Sequence, residues 1–302
     1  MKYKNIPNTD LEVSVICLGT WVFGGDSWSG ADENDCLAAI DAAADCGINF
    51  IDTAPIYSGG QSEEMIGKVI SQKRDQWVIA TKCGPQKRGE KIINDLSPRS
   101  IAKQLDNSLR RLKTDHIDLY QCHWPDDDTP IEETLEYLNK AKQQGKIRHI
   151  GVSNFGADLL DKAVQSADIA TLQSHYSLLE RSLDEEIIPC CLKNRIGLLA
   201  YGPLGGGVLT GKYKSPKKFQ DTDARQFFYK FYGKRFNEVQ KVLERLTAID
   251  QPLNQIALNW VRQKECAVSA LVGCRNVEQV AANAGAADWE LSEEEIDLID
   301  GI

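Results

Sequence analysis

Residues 116–154 read HIDLYQCHWPDDDTPIEETLEYLNKAKQQGKIRHIGVSN, and this stretch decides the fold. HIDLYQCH (116–123) is a short, mostly apolar run of strand length. PIEETLEYLNKAKQQG (130–145) spaces its apolar residues at helical intervals, and Gly145 ends it as a left-handed cap would. IRHIGVSN (147–154) is a strand again. Near-continuous apolar strands separated by amphipathic helices predict a parallel sheet covered by helices.

The alternation extends in both directions. Strand-like runs recur at VICLGT (15–20), INFIDT (48–53), WVIATKC (77–83), ATLQSHY (170–176), IGLLAYG (196–202) and AVSALVG (267–273). Helical spacing recurs at 32–47, 62–72, 97–113 and 158–167. Ser97 followed by Pro98 predicts an N-cap with proline in the first turn, and Gly47 predicts another left-handed stop. Eight such units in about 250 residues fit a (β/α)8 TIM barrel better than a six-stranded open sheet. The chain has 302 residues, so length alone leaves two domains open, and the strand count selects one domain over 1–302. The excess is expected in three places. KYKNIP, Asn8-Thr9-Asp10 and LEVS form a β-hairpin that closes the barrel bottom. The Gly- and Lys-rich segment 203–236, ending in the aromatic run QFFYKFY (226–232), forms a long functional loop without a clear helix. Extra helices follow at 236–250, 252–264 and 292–300, the last opened by a Ser292/Glu295 capping box.

Composition narrows the function. Thirty-five Lys and Arg against 44 Asp and Glu give a net charge of −9, which argues against a general nucleic-acid or anionic-membrane binder. No apolar run approaches the roughly 20 residues of a bilayer span, and the start MKYKNIPNTD has no apolar core of a secretory signal. Nine cysteines, an odd number without a C-x-x-C, fit a reduced cytoplasmic chain that uses Cys as a small hydrophobe. Four scattered histidines give no metal-binding spacing, so no metal is expected.

Barrel chemistry sits where strands end. The successive strand ends carry Asp52 with Tyr57 five residues on, Lys82, His123, Ser153-Asn154, Gln173, Tyr201 and Arg275. Free tyrosine, with a pKa near 10, is a poor acid at neutral pH. A neighbouring ammonium lowers that pKa, a buried Lys82 needs a counter-charge that Asp52 supplies, and His123 can hydrogen-bond the substrate oxygen that Tyr57 protonates. Taken singly, each residue has an ordinary reading: a turn or cap at Asp52, a rim aromatic at Tyr57, a solvated Lys82, a structural His123. Taken as a set at neighbouring strand ends, they read as a general acid tuned for carbonyl reduction.

These residues resemble the aldo-keto reductase family over nearly the whole chain. The resemblance runs from Gly19-Thr20-Trp21 through GINFIDTAPIY (47–57) and Ser62-Glu63-Glu64. It continues through Ala80-Thr81-Lys82, DLYQCHWP (118–125) and Gly151-Val152-Ser153-Asn154-Phe155. It ends with Pro203-Leu204-Gly205-Gly206-Gly207, Thr210-Gly211-Lys212 and Gly273-Cys274-Arg275 with Gln279 and Asn283. Gln173 with Tyr176, Leu179-Glu180-Arg181 and LTGK (209–212) resemble its bacterial general-stress and channel-β-subunit-like branch. The resemblance implies NAD(P)H-dependent reduction of aldehydes or ketones, including sugar-derived or reactive aldehydes, and the reverse. It makes Tyr57 the acid/base, with Lys82, Asp52 and His123 around it. It assigns Ser153, Asn154 and Gln173 to the nicotinamide carboxamide and Tyr201 to the ring face. It wraps 202–212, with Gly202, Pro203, Leu204, Gly205, Gly206 and Lys212, around the pyrophosphate, with Arg225 helping to close that loop, and it adds Gly19, Thr20, Trp21, Asp52, Gly273, Gln279 and Asn283 to the cofactor contacts. Arg275 suits a 2′-phosphate, which favours NADPH with NADH possible; its ordinary reading is a solvated arginine before a helix. Three departures stand out: Ser58 where glycine is common, Ala282 where glutamate is common near the adenine, and Cys274 in place of a small residue.

Trp21 and Trp124 are expected to wall the substrate pocket with Tyr57 and His123. The expected partner is therefore a small carbonyl compound, with no nucleic acid or membrane, in a monomer or weak homo-oligomer. Two motifs are rejected. No G-x-G-x-x-G occurs, and Gly206-x4-Gly211-Lys212 is followed by Tyr213 where a phosphate loop needs Ser or Thr. Two other functions compete: an NADP(H)-binding sensor or regulatory subunit with weak reductase activity, and a sugar isomerase, which would need a metal or second base that the strand ends lack.

Overall fold

The computed structural model describes residues 1–24, 28, 31–89, 91–221 and 223–301, with Phe227 and Phe228 described by their backbone alone. Those two side chains, part of the aromatic run at 226–232, lie outside the described residues. β1 (Tyr3–Asn5) and β2 (Glu12–Ser14) form an antiparallel hairpin. The barrel strands are β3 (Ile16–Gly19), β4 (Phe50–Asp52), β5 (Val78–Cys83), β8 (Ile117–Cys122), β9 (Ile147–Ser153), β10 (Ile169–His175), β11 (Gly197–Tyr201) and β12 (Ala267–Gly273). They close in that order, all parallel, with β12 pairing back onto β3. The eight strands read from the sequence are these eight.

The helices between them are α1 (Glu33–Asp45), α2 (Gln61–Ile70), α3 (Pro98–Leu112), α4 (Ile131–Gln143), α5 (Ala157–Ser166) and α6 (Ile187–Asn194). The Ser97 hydroxyl accepts from the Ser100 N–H and Pro98 sits in the first turn, as the sequence predicts; such a cap is worth about 1 kcal/mol. Gly47 and Gly145 take φ of 77° and 73° just past α1 and α4, the left-handed exit that glycine adopts without a Cβ penalty. After β11 come α7 (Ala224–Phe228), α8 (Phe236–Leu246), α9 (Leu253–Arg262), α10 (Val277–Ala284) and α11 (Glu293–Asp300). α11 carries the predicted Ser292/Glu295 capping box. The segment 203–236 departs from a helix-free loop: it holds a 3-10 turn at Gly205–Thr210, the short α7 and another turn at Lys230–Tyr232. Asp223 starts α7 by capping Arg225 N–H, a local signal too short for apolar periodicity to reveal.

Two apolar compartments hold the fold. The larger lies between strands and helices. The smaller fills the barrel interior, where Cys17, Phe50, Ala80, Leu119 and Leu199 meet Ile6, Leu11 and Val13 of the β1–β2 hairpin. The hairpin therefore plugs the barrel, and each fully buried Leu or Ile contributes about 1.5–3 kcal/mol. Side chains two apart on a strand share a face. Thus Phe50, Ala80, Leu119 and Leu199 put Asp52, Lys82, Gln121 and Tyr201 one step further along the same inward face. This apolar floor under a polar layer positions the site.

One further element was not read from the sequence. β6 (Pro85–Arg88) and β7 (Lys91–Asn94) form an antiparallel hairpin directly after β5. Its strands are short and largely polar, so they give no apolar alternation. No described helix is long and apolar enough to cross a membrane.

Candidate active site

Lys82 is fully buried. Its Nζ donates to Asp52 Oδ2 at 2.7 Å, to the Thr53 carbonyl at 2.9 Å and to Tyr57 Oη at 3.3 Å. An ammonium has three N–H groups, so all are used. The other Asp52 oxygen accepts from Gln173 Nε2 at 2.7 Å and from Gln121 Nε2 at 3.3 Å. The ion pair is thus both neutralised and hydrogen-bonded, the condition under which a buried pair is tolerated. Because Lys82 donates to the Tyr57 oxygen, the phenol hydrogen is left for the cavity.

From the sequence, Lys82 is expected to lower the Tyr57 pKa. In the structure, Tyr57 is pushed well above its ordinary value, first by burial and then by the Asp52 charge. The physical reason is burial, which disfavours the charged phenolate, with the Asp52 carboxylate adding to it. Tyr57 therefore keeps its proton across the neutral range. His123 moves the other way: burial, then the Lys82 charge, holds it well below an ordinary histidine. Its ring is neutral and meets Tyr57 edge-on at 5.9 Å. Trp21 stacks on the other side of Tyr57 at 6.2 Å, and Trp28 meets Trp21 edge-on at 5.6 Å. Trp124 stacks beside His123 at 6.5 Å.

Ser58 explains its departure from glycine. Its φ of 47° is left-handed, and its hydroxyl donates to the Phe23 carbonyl at 2.9 Å. The hydrogen bond offsets a backbone conformation that glycine adopts more easily.

A cavity of about 1460 Å³ runs over these residues. Its middle is walled by Ser153, Asn154, Gln173 and Tyr201. Tyr201 donates to Asn154 Oδ1 at 3.1 Å, and Asn154 Nδ2 donates to the His123 carbonyl and to Ser153 Oγ. His175 backs Tyr201 in a parallel stack at 5.4 Å. The cavity is also lined by Gly19, Gly202, Pro203, Leu204, Gly206, Lys212, Arg225, Gly273, Arg275, Gln279 and Asn283. Asn276 caps α10 by accepting from Gln279 N–H, and Gln279 Oε1 accepts from Arg275 N–H. Arg225 is anchored by Asp223, with its guanidinium 5.1 Å from the Trp28 ring and 4.1 Å from the Phe219 ring. Cys274 is buried and accepts from Asn283 Nδ2 at 3.3 Å.

Two residues read as cofactor contacts do not line the cavity. Thr20 is fully buried, and its hydroxyl donates to the Asp52 carbonyl at 2.9 Å. Gly205 is buried beside Val208, Leu179 and Phe231 in the turn that carries its neighbours to the wall. Several residues of the site escaped the sequence. Gln121 sits inside a run read only as a strand; it is fully buried and reaches the site through its hydrogen bond to Asp52. Tyr229 comes from the long loop and packs against Gly202, Gly206 and His175. Asn254, on α9, donates to Asn283 Oδ1 at 2.9 Å. Pro85, Lys87, Ile92 and Asn94 come from the β6–β7 hairpin. Residues distant in sequence make this wall, and only an alternation of faces on the hairpin could have flagged the last four.

The family model for the Aldo/keto reductase family matches residues 15–302. An aldo-keto reductase, YhdN, of Bacillus subtilis is 40% identical, covering 98% of this chain and 91% of its own. An NADH-specific methylglyoxal reductase of Escherichia coli is 36% identical, covering 98% and 97%. The solved glycerol dehydrogenase of Gluconobacter oxydans superposes with a TM-score of 0.90 at 37% identity, covering 99% of this chain and 94% of that one. The matches define an oxidoreductase acting on carbonyl substrates. This chain belongs to the aldo-keto reductase family.

Proposed function

We propose that this protein is a cytoplasmic, NADPH-dependent reductase of aldehydes and ketones, with Tyr57 as the general acid. The carrying observation is the Tyr57 hydroxyl, which receives an N–H from Lys82 at 3.3 Å and keeps its own hydrogen for the cavity.

The residues present suit a nicotinamide dinucleotide. The cavity exceeds the 300–1,000 Å³ typical of small-ligand sites, enough for a dinucleotide beside a small carbonyl compound. Ser153, Asn154 and Gln173 offer amide and hydroxyl groups for the carboxamide, and Tyr201 offers a flat face backed by His175. Lys212 and Arg275 add cations to the cavity wall, which suits the cofactor phosphates. Gly206 and Gly207 take φ of 69° and 100°, which lets the backbone turn sharply there. When bound, the cofactor supplies the hydride.

The remaining chemistry belongs to the chain. Neutral His123 donates a hydrogen bond to the carbonyl oxygen and orients it toward Tyr57. Tyr57 Oη delivers its proton to that oxygen. As the proton leaves, the Lys82 N–H already directed at Oη stabilises the phenolate, and Asp52 holds Lys82 in place. Trp21, Trp28 and Trp124 keep water from the reacting carbonyl. The nine unpaired cysteines support a reducing compartment.

The testing experiment follows NADPH and NADH oxidation at 340 nm with a carbonyl panel that includes methylglyoxal and a nitrobenzaldehyde. Turnover with NADPH is expected to fall by about 10²–10⁴ in Tyr57→Phe, while NADPH binding, read by fluorescence, persists. Equal turnover by Tyr57→Phe would overturn the assignment.

A further inference from the structure

The β6–β7 hairpin pairs Pro85 with Asn94 and Lys87 with Ile92. Alternation puts these four on one face, and these four line the cavity. The other face is tied down: Gln86 Nε2 donates to Ser100 Oγ at 2.6 Å. At the hairpin's base, Asn94 Nδ2 donates to the Pro125 carbonyl at 3.2 Å, fastening it to the loop that carries His123 and Trp124. The hairpin is therefore a fixed wall, three residues past Lys82 at its start.

That wall has an unusual surface. Ile92 is 66% exposed, the most exposed large apolar side chain among the described residues. Directly opposite it, Lys87 is exposed and forms no ion pair among the described residues. An apolar side chain and a cation, side by side and facing into a cavity, match a ligand with an apolar body and an anionic end. Lys212 and Arg275 come from the segments after β11 and β12; Lys87 comes from the hairpin fastened to the loop that carries His123 and Trp124. In a chain of net charge −9, the overall field repels an anionic substrate, so selection for one must come from a local cation.

Resting on the reductase reading above, we infer that Lys87 and Ile92 select aldehydes that carry a carboxylate at the far end of an apolar spacer, the Lys87 ammonium pairing with that carboxylate. Lys87 acts on binding and has no part in proton transfer.

The test compares 4-formylbenzoate with its neutral methyl ester under NADPH, in wild type, Lys87→Met, Lys87→Glu and Lys87→Arg. The ratio of kcat/KM for acid over ester is expected to fall about 2- to 5-fold in Lys87→Met, the range for an exposed ion pair. It falls further in Lys87→Glu, is retained in Lys87→Arg and shrinks in 0.5 M salt as screening predicts. The change is expected in KM for the acid. A ratio equal in wild type and Lys87→Met, with the ester turned over normally, overturns this inference alone. Failure of wild type to reduce 4-formylbenzoate while it reduces other carbonyls of the panel also overturns this inference alone, and failure to oxidise NADPH with any of them overturns the reductase reading and this inference with it.

Discussion

Lys82 Nζ lies 2.7 Å from Asp52 Oδ2 and 3.3 Å from Tyr57 Oη. The ammonium thus donates both to a carboxylate that neutralises it and to a phenol that keeps its proton. In the proposed reaction the same N–H would meet a negative oxygen once Tyr57 gives up that proton. The interaction would then strengthen as charge develops, the condition for accelerating a step rather than tightening substrate binding.

Breaking that pair separates stability from catalysis. Lys82→Met leaves Asp52 buried with only two amides as partners and is expected to cost about 3–5 kcal/mol of unfolding free energy. Adding Asp52→Asn removes the uncompensated charge and restores much of the loss, while turnover stays low in both variants. Urea unfolding followed by tryptophan fluorescence, with NADPH oxidation alongside, checks this. A Lys82→Met protein as stable as wild type would contradict the buried pair.

Stability is expected to fall on acidification below about pH 6.5. Burial lowers the pKa of both His123 and His175, with the Lys82 charge adding at His123 and Glu180 opposing at His175. The unfolded chain takes up these protons first as pH drops. Their contribution is present above the unfolded value and lost as pH falls through the folded one. Each histidine can add at most about 1.4 kcal/mol per pH unit to the slope. The slope of unfolding free energy between pH 7.5 and 5 is expected to be shallower in His123→Asn/His175→Asn. Identical slopes would show that neither histidine resists protonation.

Arg275 is expected to sort the two nicotinamide dinucleotides. Replacing it with alanine should raise the NADPH Kd about tenfold, near 1.4 kcal/mol, with a smaller effect on NADH. High salt should narrow the gap. Fluorescence titration with both dinucleotides decides it, and equal weakening of both would remove Arg275 from the 2′-phosphate. The NADH-specific relative makes this comparison informative.

The sequence by itself determined the barrel, because eight apolar runs alternating with amphipathic helices leave few other ways to bury both faces of a parallel sheet. It also singled out Asp52, Tyr57, Lys82 and His123, which the structure brings together, because polar residues at the ends of apolar strands are costly unless a site uses them. The hairpin plug, the caps at Ser97 and Ser292 and the glycine exits were legible for the same reason: each is a local preference. Only the tertiary structure decided the sign of the Tyr57 shift, which depends on burial and on the Asp52 charge. It alone turned Thr20 away from the cavity and brought Gln121 onto Asp52. It also raised the polar hairpin carrying Lys87 and Ile92 over the cavity. These outcomes depend on distances between residues far apart in the chain. Periodicity reports which face a residue occupies, but not what lies opposite it across a closed barrel.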